Sequence, residues 1–302
     1  MISAKRGTCD PVNMSRARLL AFVLVVFGAF ALAFGGQSLV SALGTLLQLS
    51  GPPVAASSGA LSEHDMEELN AMAPQDQVKR LLEKAINHYK GAAEEISKRV
   101  DGWTGQIHST PQLETMTNTA YFASDLRVRA VALEIWLARD NLRKNSQTVD
   151  DLIGRVAAST DPKWFLLSSL GILGNRGVER EKVFDTLMLY LHDPDGSARA
   201  AAINGLGLLG TENTIAPLLD AFHNDTSHDL RERAACNLAD SGMLSRDLRQ
   251  KAVPELVRFS QDPDLDATTR KWVFQALREI TLQNLADDPA RWASWYGAQA
   301  RR

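Results

Sequence analysis

The chain has 302 residues, of which 45% are hydrophobic and 23% charged, with 33 Lys and Arg against 36 Asp and Glu. This composition excludes a disordered polymer and leaves room for a membrane segment plus one or two ordinary domains. The small acidic excess gives no long-range basic field of the kind that gathers nucleic-acid phosphates, and two cysteines are too few for a disulfide scaffold.

In chain order, residues 1–18 form a short segment carrying Lys5, Arg6, Arg16 and Arg18. Residues 19–36 (LLAFVLVVFGAFALAFGG) then run for 18 positions with no charge or strongly polar side chain, the lower end of what a spanning helix needs. We expect a transmembrane helix over 19–40. Basic residues precede it and the first charges after it are Glu63, Asp65, Glu67 and Glu68. The positive-inside rule then leaves the N-terminus in the cytoplasm and carries the rest across the inner (cytoplasmic) membrane, into a periplasmic or extracytoplasmic location. A cleaved signal peptide is the alternative, with small-residue sites at Ala31-Leu32-Ala33 and Val54-Ala55-Ala56.

Residues 41–73, rich in Gly, Pro, Ala and Ser over 50–62, read as a flexible tether. From Pro74 to Val100, Val78, Leu81, Leu82, Ala85, Ile86, Tyr89, Ala93, Ile96 and Val100 recur at three- and four-residue steps. This predicts one amphipathic helix within 74–109, serving as a cap or as a stalk that makes a dimer contact.

Residues 110–302 carry an internal repeat. Placing Leu206 over Trp136, Leu170, Leu238 and Leu277 gives steps of 34, 36, 32 and 39 residues. Between these segments lie helical patterns over 149–158, 183–191, 215–222 and 253–259. Helix pairs at such a period stack into an α-solenoid, because no pair buries its apolar face alone. The expected fold class is therefore all-α, an anchor followed by a solenoid.

Ala216-Pro217-Leu218-Leu219 and Val253-Pro254-Glu255-Leu256 supply a proline-bearing first helix, and Asp193/Arg199, Asp225/Arg231 and Asp264/Arg270 each place Asp six residues before Arg at the start of a second helix. On these features the sequence resembles bacterial HEAT-repeat proteins. The resemblance implies that the Asp and Arg residues form a ladder between units, and that the second helices line a concave binding surface. The earlier repeats depart from the pattern: Arg129 has Ala123 where an Asp is expected, and Lys163 stands in place of an Arg after Asp161. At the other end Asp288-Pro289, followed by Trp292 and Trp295, reads as a capping helix.

No P-loop, GxSxG or HExxH occurs, so no enzyme activity and no cofactor is expected. His192 and His223 end successive first helices, where an imidazole meets a helix C-terminus; a metal would need more converging ligands than this spacing provides. The candidate partner-binding row on the second helices is Trp164 and Ser168, Asn204, Glu232 and Cys236, and Lys271 and Gln275. An aromatic anchor among mixed charges suits a protein or peptide partner. The expected function is a membrane-anchored scaffold for protein–protein interaction that binds no nucleic acid. The alternatives are an assembly element that self-associates into a homo-oligomer through the anchor and the 74–100 helix, and an enzyme with a nonstandard site.

Overall fold

The computed structural model describes residues 59–159, 161–299 and 301. The expected transmembrane segment over 19–40 lies outside the described residues. Among the described residues no helix is long and apolar enough to cross a membrane.

The described chain is helical throughout, apart from an isolated bridge between Ala60 and Lys90. That bridge pins the start of the domain: Leu61 N–H donates to the Lys90 carbonyl and Lys90 N–H to that of Gly59. Helix α1 (Glu63–Ala71) follows, opened by a capping box in which Ser62 and Asp65 satisfy each other's backbone N–H groups. The stretch read as tether through residue 73 is therefore ordered from Gly59 onward. Its Gly and Ser content conceals this local capping signal.

The single helix expected over 74–100 is a hairpin, α2 (Pro74–Ile86) and α3 (Ala92–Trp103). His88 (φ 58) and Gly91 (φ 90) turn the chain between them. Both helices present apolar residues to one core, so the hydrophobic period runs on across the break and hides it. Left-handed His88, one residue past the C-cap Asn87, stops α2, with its own N–H on the Ala85 carbonyl and that of Tyr89 on Lys84, and Gly91 opens α3 as its N-cap.

Five helix pairs come next: α4 (Pro111–Tyr121) with α5 (Leu126–Arg139), α6 (Ser146–Ala158) with α7 (Lys163–Asn175), and α8 (Arg180–Leu191) with α9 (Gly196–Leu209). They continue with α10 (Ile215–Asn224) and α11 (His228–Cys236), then, after the short α12 (Arg246–Gln250), α13 (Val253–Gln261) and α14 (Ala267–Thr281). The second helices α7, α9, α11 and α14 pack on one another in series, each against its own first helix. This is the arrangement of an α-solenoid, with Leu170, Leu206, Leu238 and Leu277 all fully buried at equivalent places. Helix α15 (Pro289–Gln299) packs on α13. Asp288 caps its first turn, and Trp292 is completely buried with its indole N–H on the Ala286 carbonyl.

Close approach of α7 and α9 depends on glycine. A Cβ on Gly171 would run into the Gly205 carbonyl, and one on Gly205 into Leu187 and the Leu167 carbonyl. Gly207 likewise leaves the space that Asn237 occupies.

Helix α5 does not continue this series. Two hydrophobic cores, one of α1–α5 and one of the later pairs, meet along it: Val128, Val131, Ala132, Ile135 and Ala138 face the first, Ala130, Leu133 and Leu137 the second. Burial on opposite faces accounts for its lack of an amphipathic stripe. Trp136, aligned by sequence with the buried leucines, is half-buried and lies against Tyr121, with ring centroids 4.9 Å apart.

Candidate functional site

The ladder joins neighbouring pairs through Arg199–Asp225 and Arg231–Asp266. Arg199 makes a bidentate contact to Asp225 of the next pair, Nε–Oδ2 2.9 Å and Nη2–Oδ1 3.2 Å, while also donating to the carbonyl of its own Asp193. Burial pushes the Asp225 carboxyl up, but the Arg199 guanidinium and the Ser227 N–H hold it below its ordinary value. Lys163 approaches Asp193 at 3.9 Å, a weaker rung of the same kind.

At the last joint Arg231 meets Asp266 at 2.8 Å, not Asp264, which is exposed and forms no rung. The loop before α14 is longer. Asp262 closes its first turn by accepting the Asp264 N–H, and Asp266 caps the helix through Thr268 and Thr269. Hydrogen bonds from Thr269 and the backbone, with His228 nearby, lower Asp266 to about 2. Arg270 meets no carboxylate and donates instead to the carbonyls of Asp262 and Leu265. Arg129 repeats that habit, donating to the Ala123 carbonyl, and it reaches further, to the carbonyls of Asp240 and Gly242. Those carbonyls belong to a π-helical turn (Asn237–Ser241) that widens the end of α11 and to the glycine after it, and Arg249 binds them as well. Cations at the end of a helix meet its unpaired carbonyls and the negative end of its dipole.

Of the candidate row, Trp164 is the most prominent side chain: 65% exposed at the start of α7, edge-on to Phe165. Ser168 (α7), Asn204 (α9), Glu232 and Cys236 (α11) and Gln275 (α14) are half-buried, while Lys271 is exposed. The row thus falls on four helices that pack in series. Hydrogen bonds link two of these helices directly: Asn204 Oδ1 accepts from Arg233 at 3.3 Å and from Asn237 at 3.5 Å. Gln275 donates along its own helix to Glu279.

Arg233 and Asn237 are the members that sequence reading missed. Arg233 stands where the other pairs carry Phe165, Ala201 and Trp272, so a charge in an apolar register was the available signal.

His192 lies at the C-cap of α8, and His223 in the last turn of α10. His223 also contacts Asp262 of the following loop at 2.8 Å and packs on Phe259. Among the described residues no group of three or more His, Cys, Asp or Glu side chains is placed to hold a metal ion. Away from the row, a groove of 510 Å³ runs between α2 and α4, floored by Met72, Ile86 and Met116 and rimmed by Asp76, Lys79, Arg80 and Glu83.

The architecture defines an α-helical repeat protein. Residues 157–239, which span α7 to the end of α11, match the family described as HEAT repeats. No curated protein matches the chain.

Proposed function

We propose that the protein is a membrane-tethered interaction scaffold whose second-helix face, from Trp164 to Gln275, docks a protein partner. The observation that carries this reading is Trp164, a large aromatic held 65% exposed on a rigid helix instead of being folded into the adjacent core. Such a ring yields its hydrophobic free energy only when a partner covers it. Repeat solenoids of the HEAT kind act generally through surfaces of this sort and not through catalysis.

The apolar run 19–36 and the basic residues before it support an anchored protein whose solenoid lies outside the cytoplasm. Replacing Arg16 and Arg18 by Glu is expected to alter that placement, read by protease protection in membrane vesicles; unchanged protection would remove the charge argument.

The docking face is tested by crosslinking capture of the full chain in its native membrane, beside a variant carrying Trp164→Ala, Glu232→Lys and Lys271→Glu. A partner captured by the parent and lost from the variant supports the assignment. Equal capture by both moves the site off this face. A second reading, self-association, is favoured by the apolar floor of the α2–α4 groove. It predicts a concentration-dependent mass for the full-length protein that falls on Met116→Glu.

A further inference from the structure

We infer that Arg233 is a carboxylate-recognition point on the docking face, so that the partner is an acidic peptide segment presenting an Asp or Glu side chain between α9 and α11. This rests on the reading of that face as a docking surface.

Nearly every other half-buried or buried arginine of the solenoid is committed. Arg199 and Arg231 are paired with carboxylates, while Arg129, Arg249 and Arg270 are each spread over several carbonyls. Arg233 has one protein hydrogen bond, 3.3 Å from Nη1 to Asn204 Oδ1, and no ion pair. Its Nε is buried without a partner. Nη2 has no protein partner either, and unlike Nε it is not fully buried. A guanidinium carries five N–H donors in a planar fork, and an oxygen pair offered to its Nη edge completes a bidentate, charge-assisted contact.

The surroundings keep that fork in place. Asn237 donates to the Arg233 carbonyl at 3.0 Å and to Asn204, and the missing side chain of Gly207 is what lets Asn237 sit against α9. Asn204 is thereby held with its oxygen toward the guanidinium. Glu232, one residue earlier, points roughly 100° away around the helix and is not an internal counter-ion. In the equivalent register Phe165, Ala201 and Trp272 complete apolar packing, so a half-buried charge here forgoes burial that the other pairs obtain. Trp164 lies two helices away, roughly 20 Å at the usual interaxial spacing, a distance that an extended segment of about six residues covers. The two features describe one ligand, with an apolar side chain at the Trp164 end and a carboxylate at Arg233.

The probe is an array of end-blocked random dodecapeptides, incubated with the full chain in detergent and with Arg233→Gln, Arg233→Lys and Trp164→Ala. End-blocking excludes terminal carboxylates, so acid selection reports side chains alone. The parent is expected to retain peptides enriched in Asp and Glu, and resynthesis with Gln or Asn is expected to weaken each by about tenfold, the value of one charge-assisted contact. Arg233→Gln should erase the enrichment and Arg233→Lys keep part of it. The Glu-to-Gln comparison is made on the parent, so it stands even if a variant folds poorly. Retained peptides that depend on Trp164 but show no acid preference, or a preference that survives Arg233→Gln, would overturn the inference and leave the docking face intact. No retention above background by any form would remove both.

Discussion

The glycine seam between α7, α9 and α11 and the strip along α5 are both deeply buried, yet they are held by opposite means. The seam uses absence: Gly171, Gly205 and Gly207 remove side chains so that backbones and Asn237 meet closely. The α5 strip uses presence. Arg129 and Glu134 place charges between two cores, the first on the Asp240 and Gly242 carbonyls and the second on Arg176 and Lys144. Tight apolar contact has no tolerance for added volume, whereas the polar joint already holds Arg129 Nε and one Glu134 oxygen without partners and depends on the contacts its other atoms make.

The largest effect is expected where volume is added to the seam. Gly171→Val should cost about 3 kcal/mol or more in chemical denaturation, because the Gly205 backbone in its way cannot rotate aside. A loss below about 1 kcal/mol would mean that α7 and α9 do not pack backbone against backbone at Gly171. At the α5 joint Arg129→Met keeps the apolar stem but leaves the Ala123 carbonyl unmet, for an expected loss of about 2 kcal/mol. Hydrogen exchange should then rise first in α5 and in the Asn237–Ser241 turn, with α8 to α10 still protected. A uniform rise would show that the joint and the stack unfold together.

Smaller effects separate the ladder from ordinary surface pairs. Asp225 is 5% and Arg199 15% exposed, so Arg199→Ala should cost about 1–2 kcal/mol, while Lys182→Ala, which removes the exposed pair with Asp150, should leave the melting temperature unchanged. Gly154, in α6 with open space around its α-carbon, gives the converse of the seam: Gly154→Ala should gain about 0.5–1 kcal/mol.

A pH dependence sharpens the ladder comparison further. Asp266 has its pKa lowered to about 2 in the folded protein, below the unfolded value of about 4. Its contribution is therefore complete above pH 4 and declines as pH falls toward 2, when the unfolded chain binds the proton first. Asp266→Asn should flatten the fall in stability over that window. An unchanged slope would place the sensitivity at other carboxylates.

Much of the solenoid is written in its sequence, because the pairs repeat and each buried leucine is marked by its register. The hairpin α2–α3 was illegible because both arms bury the same face, and the hydrophobic period passes through a turn fixed only by His88 and Gly91. Helix α5 misled for a different reason: local composition does not reveal that two cores claim its opposite faces. For the ladder, a six-residue spacing identified Asp193 and Asp225 but selected Asp264 over Asp266, since two extra loop residues shift which carboxylate reaches back to Arg231. Trp164 was visible by alignment. Arg233 was not, because a lone arginine on a helix looks solvated until its neighbours are known.

The central claim is that partners meet the second-helix face. A photo-crosslinking amino acid at position 164, compared with one at the still more exposed Leu189 on first helix α8, tests it most directly. The account predicts a discrete adduct from position 164 in native membranes and none from 189. Adducts from 189 with none from 164 would contradict it.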